Sequence, residues 1–136
     1  MSYAISAALQ AALYQRLSGD AALAALVGSA IYDAVPAGAL PETYVSLGPE
    51  EARDASDLSG AGADHDFAVS VVTSAAGFQT AKTVAVAISD ALAAPPPVLA
   101  RGRIVALWFL RAEARRTRDG TARRIDLKFR ARVEDS

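Results

Sequence analysis

Residues Leu9–Pro36, LQAALYQRLSGDAALAALVGSAIYDAVP, hold two short helices, two breaks and the start of a strand. Ile5, Leu9, Ala12, Leu13 and Leu17 recur at helical spacing, and Ser18-Gly19 ends that helix. Asp20 is placed to cap a second helix whose apolar face is Leu23, Leu26 and Val27, and Gly28 stops it. Ile31 to Pro36 is then a short strand-like segment closed by a proline, and Thr43 to Leu47 has the composition of a strand proper. None of these residues carries chemistry.

Downstream the pattern runs strand, helix, strand. From Asp64 to Thr73, Phe67, Val69, Val71 and Thr73 alternate with Asp66, Ala68, Ser70 and Val72, which predicts a half-buried strand. Phe78, Ala81, Val84, Ala85, Ile88, Ala91 and Leu92 form one helical stripe, stopped by Pro95-Pro96-Pro97. Residues 103–133 read as a C-terminal β-hairpin with a two-residue turn at Asp119-Gly120. Counting outward from Arg118 opposite Thr121 puts Ala112, Leu110, Trp108 and Ala106 opposite Leu127, Phe129, Ala131 and Val133 on one apolar face. Phe109, Arg111, Glu113 and Arg115 then oppose Arg130, Lys128, Asp126 and Arg124 on the other. Arg111 with Lys128, Arg115 with Arg124, and Arg116 with Arg123 are like-charge pairs across the ladder, each costing a few tenths to about 1 kcal/mol.

The Leu17–Gly28 block, the Ile31–Pro36 block, the Tyr44-Val45 strand and the closing Asp-Gly hairpin, in that order, resemble the tail-completion or tail-terminator proteins of long-tailed phages and of phage-derived particles such as gene transfer agents. The resemblance covers nearly the whole chain. It implies a structural virion protein, assembled in the bacterial cytoplasm, that forms a ring, commonly a hexamer, at the head-proximal end of the tail tube. Such a ring stops tube polymerisation and joins the tail to the head-tail connector or stopper protein, while DNA passes through its hole unread. The implied partners are further copies of the chain, the tail tube protein, the connector and DNA in transit. A different head-tail connector component of the same particle is the nearest alternative.

At 136 residues the chain is one domain, 1–136, large enough to bury a core without staples. There are no cysteines, so no disulfide framework or thiolate metal site is expected. The longest uninterrupted apolar run, Ile104 to Leu110, is far short of a membrane span, and no membrane partner is expected. The fold class that follows is α+β: a mainly antiparallel sheet of about four strands with two short N-terminal helices and one longer helix packed on it.

The net charge of −1 conceals an asymmetry along the chain. Residues 1–100 hold 3 basic and 10 acidic side chains, whereas residues 101–136 hold 11 basic and 5 acidic. Either the fold interleaves the two halves, or opposite patches face different neighbours. Residues 48–66, GPEEARDASDLSGAGADHD, read as a mobile acidic loop, either a solvated insertion or a segment that orders on a partner. Its acids Glu50, Glu51, Asp54, Asp57, Asp64 and Asp66 are candidates for the ring lumen or a neighbour contact. The candidate interface on the hairpin is basic: Arg111, Arg115, Arg116, Arg118, Arg123, Arg124, Lys128 and Arg130.

Catalytic groupings are not evident, and the chain reads as no enzyme. His65 is the single histidine; Asp64 and Asp66 would point to the strand face opposite it, so it is expected at the surface or a strand edge. No cofactor or metal is expected, since no second histidine or cysteine completes a zinc set. Gly60-Ala61-Gly62 lacks the lysine and flanking elements of a phosphate loop. The rival reading is a small nucleic-acid-binding module built on the basic hairpin. Against it stand a pI of about 5.8 and the expectation that Trp108 lies on the core face, with Phe109 and Phe129 on opposite faces.

Overall fold

The computed structural model describes residues 3–56 and 61–135. Helix α1 (Ser6–Ser18) is followed by α2 (Ala21–Val27), and the Asp20 carboxylate accepts from the Leu23 N–H at 3.0 Å as the expected cap. Four long segments then build the rest: β2 (Thr43–Asp54), β3 (Gly62–Thr73), β4 (Arg103–Arg116) and β5 (Arg123–Glu134), with α3 (Gln79–Ala93) between β3 and β4. The short segment after α2 forms only a two-residue strand, β1 (Ile31–Tyr32), which pairs in parallel with β2. The sheet therefore has five strands in the order β1-β2-β3-β5-β4, one more than expected, antiparallel apart from the β1–β2 pair.

All three helices lie on one face of the sheet. The α1 stripe of Ile5, Leu9, Ala12, Leu13 and Leu17 and the α3 stripe of Ala81, Val84, Ile88 and Leu92 are buried against Val45, Phe67, Val69, Val71, Leu127 and Phe129. In α2 only Leu23 is buried; Leu26 stays 43% exposed, so the expected three-residue face narrows to one anchor with Val27 packed at its margin. The helix is too short to turn a broader stripe inward.

Residues 48–54 and 62–63, expected in a loop, are strand, and 64–66, where the expected loop and the expected strand overlapped, are strand too. Glu51, Ala52, Arg53 and Asp54 pair with Asp66, His65, Asp64 and Ala63, because Arg53 neutralises the acids it faces; of the expected acidic loop, residues 57–60 with Asp57 lie outside the described residues. β3 is in consequence central and buried on both faces, including Ala68, Ser70 and Val72, rather than half-buried.

Three irregularities re-aim side chains. Between Leu47 and Glu50 the β2–β3 register shifts, leaving one extra residue in β2. Glu50 thereby pairs with Phe67 and faces the helices instead of standing opposite Asp66. In the hairpin the expected register holds from Arg111 to Arg116, then slips by one at Leu110, where Phe109 opposes Phe129 and Trp108 opposes Arg130, and by one more between Ala106 and Ile104, which puts Ile104 opposite Val133. A one-residue slip exchanges the two faces. Phe109 and Phe129 therefore share a face, their rings edge-on at 5.8 Å, and Trp108, expected in the core, is 41% exposed. The hairpin end is a four-residue loop closed by Thr117 N–H to Ala122 C=O at 2.9 Å, not a two-residue turn, though the register at the tip is the one expected. Gly120 sits there at φ +72°, and the Asp119 carboxylate accepts from Thr117 and Thr121.

Candidate assembly interface

The sheet face turned away from the helices carries a layer of charge. Asp64 and Asp66 from β3 and Asp126 from β5 are its anions, and Arg53, Arg115, Arg124, Arg130 and Arg132 surround them. Arg130 grips Asp66 side-on, Nε to Oδ1 at 2.7 Å and Nη2 to Oδ2 at 3.0 Å, and Arg53 adds a third bond at 3.0 Å. The hydrogen bond from Arg130, partly opposed by burial and reinforced by Arg53, lowers the Asp66 pKa to about 2. Arg132 binds Asp64 at 2.6 Å. Asp126 receives Ser70 Oγ at 2.6 Å, Arg124 Nε at 2.8 Å and Arg115 Nη2 at 3.3 Å. Burial pushes the Asp126 carboxyl up, but Ser70 and the two arginines outweigh it and hold the group below its ordinary value.

The like-charge pairs foreseen in the hairpin are all present in the register. Two are relieved within the subunit. Arg115 and Arg124 share Asp126, and Arg123 turns to the helix side, where it donates to the Ala75 carbonyl at 3.2 Å and lies over the Phe78 ring. Arg111 and Lys128 stand directly opposite each other beside Ala68 and Pro49, and neither forms an ion pair with a described residue. Arg116 and Arg118, at the tip, have none either. The candidate cations thus divide: Arg115, Arg123, Arg124 and Arg130 are tied to their own subunit, while Arg111, Arg116, Arg118 and Lys128 project unneutralised.

The candidate acids divide as well. Asp64 and Asp66 serve the charge layer just described, and Glu51 joins it through Arg53 at 3.2 Å. Asp54 ends β2 by accepting from Ser56 Oγ at 2.7 Å. Glu50 lies under the N-terminal segment: Tyr3 Oη donates to it at 2.5 Å, Ser6 Oγ at 2.9 Å, and His65 Nδ1 lies 3.1 Å away. Burial raises the Glu50 carboxyl, and the bonds from Tyr3, His65 and Ser6 more than offset it, leaving it below the ordinary value. His65, expected at the surface, is wholly buried beneath the Tyr3 ring because β3 is central and the start of α1 covers this end of it.

Sequence reasoning missed Arg53 and Arg132 as the partners of Asp66 and Asp64, a relation visible only once β2, β3 and β5 are aligned. It also missed β4 as the open edge. Val105, Trp108 and Phe109 are exposed there, and every residue from Arg111 to Arg116 is exposed. A 14-residue strand with one unpaired side and exposed aromatics is a surface that soluble proteins normally cover. Among the described residues no three His, Cys, Asp or Glu side chains are placed to hold a metal ion, and no helix is long and apolar enough to cross a membrane.

Comparison with known proteins agrees with this architecture. None of the curated proteins compared matches the chain. A chain in the solved structure "Virion of native gene transfer agent (GTA) particle" is 66% identical, with 98% of this chain and 99% of that one covered and a TM-score of 0.92. The profile of the tail completion protein gp17 family matches residues 11–134. A match of that extent fixes the family: the chain belongs to the tail completion protein gp17 family, structural proteins of the virion tail.

Proposed function

We propose that the chain is the tail terminator of a gene-transfer-agent-like or phage particle, forming a homo-oligomeric ring, commonly a hexamer in such proteins, at the head-proximal end of the tail tube. The ring stops tube polymerisation, receives the head-tail connector, and lets DNA pass through its hole. The observation that carries this reading is the near-complete, 66% identical match to a chain of a gene transfer agent virion. The open edge at β4 supports it, because a closed ring of subunits covers such an edge. The role is structural. In it, Arg111, Arg116, Arg118 and Lys128 meet acidic surface of the neighbouring copy or of another tail protein, and the remaining candidate arginines and acids hold the strands that present them.

The nucleic-acid reading gains one feature, the exposed Trp108, whose ring lies 6.0 Å beneath the Arg130 guanidinium. It loses more, since Arg53, Arg115, Arg124, Arg130 and Arg132 already face carboxylates of the same subunit. Native mass spectrometry of the purified chain, alone and with the tail tube protein, distinguishes the two. A ring, formed alone or on the tube, is expected. A persistent monomer that ignores the tube, and that binds DNA with affinity falling linearly in log salt, overturns the terminator reading.

A further inference from the structure

The connection from β1 to β2 has an unusual surface. Residues 33–42 are all exposed, and between Asp33 and Glu42 the sequence is Ala34-Val35-Pro36-Ala37-Gly38-Ala39-Leu40-Pro41. Val35 is 43% and Leu40 39% exposed. From Ala34 to Pro41 the backbone makes no hydrogen bond to any described residue. Water satisfies those backbone groups, but an exposed apolar strip bounded by two acids marks a surface suited to a partner.

The opposite edge of the sheet offers its complement. Between α3 and β4 runs a groove of about 350 Å³, with Val86 and Phe109 as its walls and Ala112 and Ala114 in its floor. Val86 is 59% and Phe109 49% exposed. The groove exists because β4 outreaches the helix and because its helix-side residues there are alanines, too small to fill the space. Lys82 lines the lip, and Arg116 follows Ala114 on the same strand face; neither forms an ion pair with a described residue.

Resting on the ring reading above, we propose that segment 33–42 of one copy lies in the α3–β4 groove of the next, Val35 and Leu40 against Val86 and Phe109, with a bounding acid facing Lys82 and Arg116. Apolar matter meets apolar matter, and the charges at the margins are opposite. Pro36 and Pro41 fix their backbone angles, so the segment loses less freedom on docking than a flexible one. The two surfaces lie on opposite edges of one sheet, hence the contact is head-to-tail and closes into a ring when the rotation allows. It also covers the free side of β4.

The chain has no cysteine, so pairs can be introduced cleanly. Full-length protein carrying both Leu40→Cys and Val86→Cys, assembled alone or on the tail tube and treated with a short bismaleimide, is expected to give a ladder of linked oligomers, whereas each single variant gives none. Separately, Lys82→Glu with Arg116→Glu is expected to weaken assembly at least tenfold, and added Asp33→Lys with Glu42→Lys to restore it. Rings of normal mass without a ladder, a dimer from Val86→Cys alone, or charge reversal without effect each overturn this contact and leave the terminator reading standing. Failure of the unsubstituted chain to form any ring overturns the terminator reading itself.

Discussion

Asp66 concentrates the electrostatics of the outer sheet face in one side chain. Its carboxylate is 15% exposed, takes both prongs of Arg130 and one bond from Arg53, and has its pKa lowered from 3.8 to about 2. Between those values the unfolded chain binds a proton that the folded chain refuses, so the contribution is full above pH 3.8 and is lost as pH falls through 2. At 1.36 kcal/mol per unit it amounts to about 2 kcal/mol. Asp66→Asn is therefore expected to lower unfolding stability by about 2 kcal/mol at pH 7, with the gap closing as pH drops toward 2. Urea unfolding at pH 7 and pH 3 measures it; a gap that stays constant with pH contradicts the assignment. The Asp126 and Glu50 carboxyls are lowered too, so their contributions run in the same direction with pH.

At the scale of elements, the joints carry more than the elements do. Gly102 opens β4 at φ +69°, and a Cβ there would lie 2.3 Å from Ile5 Cδ1 and 2.5 Å from the Glu134 carbonyl oxygen. That one position holds α1, the start of β4 and the end of β5 together. Gly120, at the hairpin tip, has a similar φ of +72° with nothing within 4 Å. Gly120→Ala is expected to cost about 1 kcal/mol for backbone strain alone, and Gly102→Ala about 3 kcal/mol because carbonyl and core must shift as well. Thermal melts of the two variants compare them, and equal shifts refute the packing argument. The bulges act as joints also: the one in β2 turns Glu50 under α1 to meet Tyr3, Ser6 and His65, the one at Leu110 turns Phe109 onto Phe129 and Trp108 toward Arg130, and the one at Val105 returns Ile104 to the core.

Over the whole molecule, the charge asymmetry between the two parts of the sequence is largely cancelled by strand order. β5, rich in arginine, is inserted beside β3, which carries Asp64 and Asp66, and what remains uncancelled is the hairpin's outer end. Arg111→Glu with Lys128→Glu is expected to leave monomer stability within about 0.5 kcal/mol, since neither residue has an anionic partner among the described residues, yet to weaken assembly about tenfold, or 1.4 kcal/mol. Arg124→Glu is expected to behave differently, destabilising the monomer by placing a carboxylate against Asp126. Sedimentation and melting of both variants separate the effects; unchanged assembly in the Arg111/Lys128 pair removes those residues from the interface.

Much of this is legible in the sequence itself. Asp20, Gly19, Gly28 and the three prolines at 95–97 bound the helices, alternation marks β3, and Asp119-Gly120 sets the hairpin register as far as Arg111, because all of these are local preferences of a few residues for their own backbone. The family resemblance rests on the order of the same signals. What the tertiary structure decided is everything that depends on a neighbour distant in sequence. Periodicity states which side chains share a face, not what covers it, so the burial of His65, the second covered face of β3 and the pairing of Asp64 and Asp66 with arginines from β2 and β5 had no local sign. The bulges at Leu47–Glu50 and Phe109–Arg111 broke the two-residue period itself, so that Trp108 and Ala106 face the side opposite to the one inferred, until a further shift between Ile104 and Ala106 returns Ile104 to the core side.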